Sequence, residues 1–154
     1  MRYYMNKFVR TQKLKMELQE AWDFFSNPAN LALITPPELG FRINTNLPER
    51  IYDGLEIDYK VTPLLGIPLS WKTLISDVYA PLRFTDIQIK GPYLTWRHEH
   101  VFEKADDGVL VRDTVNYELP FGPVGRMANK FFIRKKINSI FDFREAKLNS
   151  IFNN

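Results

Sequence analysis

His98 and His100, the two histidines of the chain, are separated by one residue. Successive side chains of an extended strand point to opposite faces, so His-x-His sets both imidazoles on one side. In Thr95-Trp96-Arg97-His98-Glu99-His100-Val101-Phe102-Glu103 that side also carries Trp96 and Phe102, while Thr95, Arg97, Glu99, Val101 and Glu103 take the other. The same alternation groups Val109, Val111, Asp113, Val115, Tyr117 and Leu119 after it, and Phe84, Asp86 and Gln88 before it. An inward carboxylate is costly unless it is paired or hydrogen-bonded, and inward imidazoles can supply the partner. Such a cluster could hold strand register and ring tautomers, or bind the polar end of an apolar ligand. It could also move protons, with His98 or His100 titrating near neutrality and Asp113 orienting it; these three are the candidate catalytic residues. Two imidazoles and Asp113 could ligate a metal, but with two histidines and no cysteine the signal is weak, and no metal or cofactor is expected.

The elements that must position these residues follow from periodicity. Phe8 to Met16 alternates as a strand, and Leu18 to Phe25 turns to helical spacing that Asn27-Pro28 stops. Ala29 to Ile34 offers a second short helix before Thr35-Pro36-Pro37. From Phe41 to Leu119 strands are punctuated by Asp53-Gly54, Gly66-Ile67-Pro68, Ala80-Pro81, Gly91-Pro92 and Asp106-Asp107-Gly108, which predicts an antiparallel meander. Leu55, Ile57, Tyr59 and Val61 share one face there, and Trp71, Thr73 and Ile75 another. After Pro120-Phe121-Gly122-Pro123, the apolar residues Val124, Met127, Phe131, Ile137, Ile140, Phe141, Leu148 and Ile151 predict one long helix. The order is strand, two short helices, six strands, long helix. The expected ligand walls are Tyr59, Trp71, Phe84, Trp96 and Phe131, with Asp86, Gln88, His98, His100, Asp113 and Tyr117 at the polar end.

At 154 residues, 45% hydrophobic and 25% charged, the chain has the size and composition of one folded domain, expected to span 1–154. Its 14% aromatic content fills a core or lines a pocket. The absence of cysteine excludes disulfides, thiolate zinc sites and cysteine nucleophiles. Met1 to Lys7 lacks the apolar stretch of a signal peptide and no run suffices for a membrane span, so a cytoplasmic protein without stable membrane insertion is expected. Gly122-Pro123-Val124-Gly125 matches neither the phosphate-cradling loop nor the dinucleotide fingerprint, which disfavours kinases, NTPases and simple NAD dehydrogenases. Of the net charge of +3, the excess lies in residues 123–154, around Arg134-Lys135-Lys136. The ordinary solvated face of a helix accounts for it, and no nucleic-acid partner is expected. Use of that helix on a partner or an anionic membrane is the other reading.

The chain resembles the stand-alone SRPBCC proteins of the START/Bet v 1-like superfamily, in the branch labelled cyclase/dehydrase-like or cell-division-inhibitor-like. The resemblance spans nearly the whole chain. It rests on Asn30-Leu31 with Ile34-Thr35-Pro36-Pro37, Gly66-Ile67-Pro68 before Trp71-Lys72-Thr73, and Phe84, Asp86 and Gln88 before Gly91-Pro92. It continues through Trp96-x-His98-x-His100-x-Phe102, Asp113-x-Val115-x-Tyr117 and Pro120-Phe121-Gly122-Pro123-Val124-Gly125. The resemblance implies an α+β helix-grip fold, a seven-stranded antiparallel sheet wrapped around the terminal helix with two short helices closing one end. It also implies a cavity for a hydrophobic or amphipathic small molecule, lipid, isoprenoid or polyketide-like. Members range from carriers to polyketide cyclases, so a cyclase, dehydratase or isomerase using the inward His/Asp cluster stands as the alternative to a binder. Some relatives are fused to a nucleotide-sugar-epimerase-like domain, which this sequence does not contain. Neither the residues nor the resemblance sets an oligomeric state.

Overall fold

The computed structural model describes residues 4–62 and 66–154; the first three residues of the N-terminal stretch read for a leader lie outside it. Seven strands form one antiparallel sheet: β1 (Asn6–Leu14), β2 (Arg42–Ile43), β3 (Glu56–Val61), β4 (Leu69–Tyr79), β5 (Arg83–Lys90), β6 (Thr95–Ala105) and β7 (Gly108–Glu118). Their spatial order is β1-β7-β6-β5-β4-β3-β2. The meander pairs each strand with its chain neighbour, and β1 returns to close the far edge against β7. The expected alternation holds on β7, where Val109, Val111, Asp113, Val115 and Tyr117 are all buried. On β4 a register shift falls between Ser76 and Tyr79, with Asp77 at a positive φ of 52°. Asp tolerates that conformation better than most residues, and such a bulge sharpens the local twist and bend of a strand. The Asp77 carboxylate accepts from Arg97 at 3.1 Å on the outer face.

Helix α1 (Leu18–Phe25) opens with reciprocal hydrogen bonds between Glu17 and Glu20 and buries Ala21 and Trp22. It is followed by a 3-10 helix at Pro28–Ile34, which Asn27 caps by accepting from the Ala29 amide, and by a single 3-10 turn at Pro37–Leu39. The second short helix therefore exists, in the tighter 3-10 form, and Pro37 begins a further turn where only a break was expected. These segments close one end of the sheet: Trp22 meets Phe84 and Phe102 edge-on, and Phe25 packs on Phe102.

The terminal helix comprises α2 (Gly122–Ala128), a π turn at Asn129–Ile133 and α3 (Arg134–Phe152). The expected apolar stripe runs straight through that turn on paper but not in space. A π turn inserts one residue, and each residue rotates the helix by about 100°. Ile137, Phe141 and Leu148 are accordingly buried against the sheet, whereas Val124, Met127, Phe131 and Phe132 are mostly exposed. The inward positions here are instead Gly125 of α2 and Asn129, which opens the turn. Asn129 is drawn in by hydrogen bonds: its Oδ1 accepts from the Tyr117 hydroxyl at 2.7 Å, and its Nδ2 donates to Asn6 Oδ1 at 2.9 Å. On α3, Asp142 and Glu145 both accept from Arg10 of β1, at 2.8 and 2.7 Å, which ties the helix to the sheet edge.

At Gly125 the helix passes so close to the Pro120 carbonyl that a Cβ there would overlap it. Gly125→Ala is therefore expected to lower stability by about 1–3 kcal/mol through overpacking, read as a reduced urea midpoint. An unchanged midpoint would mean that α2 is free to move off the preceding loop.

Candidate functional site

Four polar groups meet under the concave face of the sheet. Strand pairing places Asp86 opposite His98, Phe84 opposite His100, and His100 opposite Asp113. The two imidazoles stack at 3.8 Å between ring centroids, and Phe84 continues the column at 4.2 Å from His100. Each carboxylate touches both rings. Asp113 Oδ1 lies 2.7 Å from His98 Nε2 and 3.1 Å from His100 Nδ1, while Asp86 Oδ2 lies 2.8 Å from His100 Nε2 and 3.5 Å from His98 Nδ1. Two of the four contacts, His98 Nε2 to Asp113 and His100 Nε2 to Asp86, have hydrogen-bond geometry. An ionised carboxylate only accepts, so each Nε2 donates, while His98 Nδ1 lies 3.5 Å from Asp86 and His100 Nδ1 lies 3.1 Å from Asp113.

These contacts shift the ionisation of all four groups. Burial works against ionisation of Asp113, but hydrogen bonds from His100 and His98 outweigh it and hold its carboxyl far below the usual range. Asp86 is lowered too, the charge of His98 and the hydrogen bond from His100 overcoming burial. Burial, then the neighbouring His100, pushes His98 below 6.5. For His100 burial is outweighed by the hydrogen bonds to Asp113 and Asp86, so it is raised above 6.5. Arg144 of α3 adds a second cation 4.0 Å from Asp113 and covers the Phe141 ring at 4.8 Å. Two carboxylates therefore share two imidazoles and one guanidinium at distances of 2.7 to 4.0 Å.

The cluster borders a cavity of about 510 Å³ between the sheet and the terminal helix. Asp86, His98 and His100 line it, and Asp113, on the other side of the rings, does not. Tyr59, Trp71, Phe84 and Trp96 also line it; Trp71 stacks on Tyr59 and meets Trp96 edge-on. Burial pushes the Tyr59 hydroxyl well up, so it remains a donor. Three expected residues lie elsewhere. Gln88 is spent on Tyr93, donating to its carbonyl at 2.8 Å and accepting from its amide at 3.2 Å. Tyr117 is buried beneath the wall with its hydroxyl on Asn129, and Phe131 is half exposed within the π turn.

Arg144 and Tyr93 line the cavity without having been singled out from the sequence. For Arg144 a signal existed: it stands three residues after Phe141 and four before Leu148, the spacing of one helical face. Its Nε and the Trp71 Nε1 are buried donors with no acceptor among the described residues. Asp86, His98 and His100 offer a carboxylate oxygen and two ring nitrogens within 4.8 Å of one another.

The lowered carboxylates stabilise the fold above pH 3.8, and that contribution is lost as pH falls through their folded values below it. Lowered His98 adds destabilisation as pH falls through 6.5, where the unfolded chain takes its proton first. Raised His100 acts oppositely, stabilising fully below 6.5 and losing its contribution as pH rises through its folded value. Asp113→Asn in chelator is expected to cost about 3–5 kcal/mol near neutrality and to flatten the acid limb in urea melts across pH. An acid limb as steep as that of the unsubstituted protein would contradict the pairing.

No protein-family model matches the sequence, and no curated protein matches it. Solved structures do. A protein from Chromobacterium violaceum superposes with a TM-score of 0.73 at 9% identity, over 97% of this chain and 99% of that one. A START superfamily protein from Mycobacterium smegmatis gives 0.69 at 11% identity, over 94% of this chain and 98% of that one. A nucleoside-diphosphate sugar epimerase from Corynebacterium glutamicum gives 0.65 at 22% identity, over 92% of this chain but 28% of that one. At such identities the likeness is one of architecture, and the sheet order, the long gripped helix and these superpositions together establish that the chain has the START-like helix-grip fold.

Proposed function

We propose that the protein binds, and carries, an amphipathic small molecule whose polar end bears hydrogen-bond acceptors. The observation behind this reading is the cavity of about 510 Å³, whose largely apolar lining also carries Asp86, His98, His100 and Arg144. The apolar body of such a ligand would lie along Tyr59, Trp71, Trp96 and Phe84. A volume of about 510 Å³ is that of a site for a drug-sized or short lipid-like molecule. Ile67 and Phe121, which line the cavity yet are largely exposed, mark its rim. A guanidinium at the polar end favours a carboxylate or a carbonyl over a purely hydrocarbon ligand.

Native mass spectrometry of gently purified protein, followed by titration of long-chain carboxylates against tryptophan fluorescence, tests the reading directly. Arg144→Met, which keeps the apolar stem, is expected to weaken carboxylate binding by about 10–100-fold while leaving the corresponding hydrocarbon alcohol little affected. A cavity that retains no adduct and takes up no member of a panel of lipids and aromatic acids would refute it.

A further inference from the structure

The two poles of the histidine stack are unlike. At one, the Asp113 carboxylate takes the hydrogen bond of His98 Nε2 at 2.7 Å and lies 3.1 Å from His100 Nδ1, with Arg144 beside it. At the other, His98 Nδ1 and His100 Nε2 converge on Asp86 Oδ2 at 3.5 and 2.8 Å, and all three residues line the cavity. A carboxylate that engages the far nitrogen of a histidine is the support a metal-ligating imidazole ordinarily has, because it fixes the tautomer and turns the near lone pair toward the ion. Here one carboxylate performs that service for both rings, and His100 releases to solvent the Nε2 proton it gives Asp86 when that nitrogen takes the ion.

We propose that Asp86 Oδ2, His98 Nδ1 and His100 Nε2 hold a divalent transition-metal ion at the cavity wall, with Asp113 as the positioning residue behind both histidines. Ligand bonds to such an ion are about 2.0–2.2 Å, which sets neighbouring ligand atoms about 3–3.5 Å apart. The His98 Nδ1 to Asp86 contact already has that length, and the His100 contact needs to open by a few tenths of an ångström. Two imidazoles with one carboxylate suit zinc, iron, cobalt or nickel and not magnesium or calcium. Spacing in the sequence offers Asp113 as the third ligand; the fold gives that place to Asp86 and sets Asp113 behind the rings. Three protein ligands on one side leave the cavity side open, so an ion there could accept an oxygen of the cavity's occupant.

The chain has no cysteine and no third histidine, so competing sites of similar softness are absent from it. Chelator-treated full-length protein, titrated calorimetrically with zinc chloride near neutral pH and no organic ligand, is expected to take up one equivalent and melt at higher temperature. Asp86→Asn, which keeps a hydrogen-bonding side chain at a partly accessible position, is expected to abolish the stoichiometric heat. Asp113→Asn is expected to weaken binding by about 10–100-fold while leaving cobalt's visible spectrum that of the same ligand set. Circular dichroism confirms folding of each variant, and His98→Gln provides a second ligand deletion should Asp86→Asn unfold. No stoichiometric heat in the unsubstituted protein, or zinc affinity unchanged in a folded Asp86→Asn or His98→Gln, overturns the site. The proposal shares its polar residues with the ligand cavity but not its test. Uptake of a long-chain carboxylate in chelator with no zinc heat would overturn the metal site alone, whereas a zinc heat lost in Asp86→Asn would support it with no organic ligand bound.

Discussion

One carboxylate is buried and a second partly buried between a sheet and a helix, and pairing them constrains everything around them. Asp113 lies between Val111 and Val115 on the buried face of β7 and could not stay ionised there alone. Its charge is met by stacked imidazoles from the neighbouring strand and by a guanidinium from the helix. The register of β5, β6 and β7 must therefore be the one observed, since a slip of one residue would send His98 and His100 to the outer face and leave Asp86 and Asp113 inside. The helix is held to that arrangement as well, through Arg144 at the cluster and Arg10 at the sheet edge.

The same cluster gives the cavity a charged patch of wall. Most of the enclosing side chains are aromatic or aliphatic, and Asp86, His98 and His100 stand together in that wall. Phe84 and His100 share one stack, which joins the greasy wall to the charged one without a break in packing.

Strand-borne parts of this arrangement were legible in the sequence because alternation is a strict rule: once Trp96, His98, His100 and Phe102 share a face, the facing of Asp86 and Asp113 follows. What alternation does not supply is depth. It sets Tyr117 and Gln88 on the inner face correctly, yet Tyr117 bonds Asn129 beneath the wall and Gln88 closes the Gly91-Pro92 turn. Helix-borne parts were harder to read. Arg144 has the spacing of the buried face but the chemistry of an exposed one, and only the carboxylate across from it explains its direction. Phe131 was misplaced because an apolar repeat says nothing about where a helix gains a residue.

That gained residue divides one helix into two populations with different obligations. Beyond the π turn, Ile137, Phe141 and Leu148 answer to the sheet, and their shapes are set by the core they complete. Before it, Val124 and Met127 answer to solvent, while Gly125 is held by a close contact inside and Asn129, at the start of the turn, by hydrogen bonds. The face presented beside the cavity rim could therefore drift in composition over generations while the gripping half stayed fixed, so that relatives with one architecture could present quite different mouths to their surroundings.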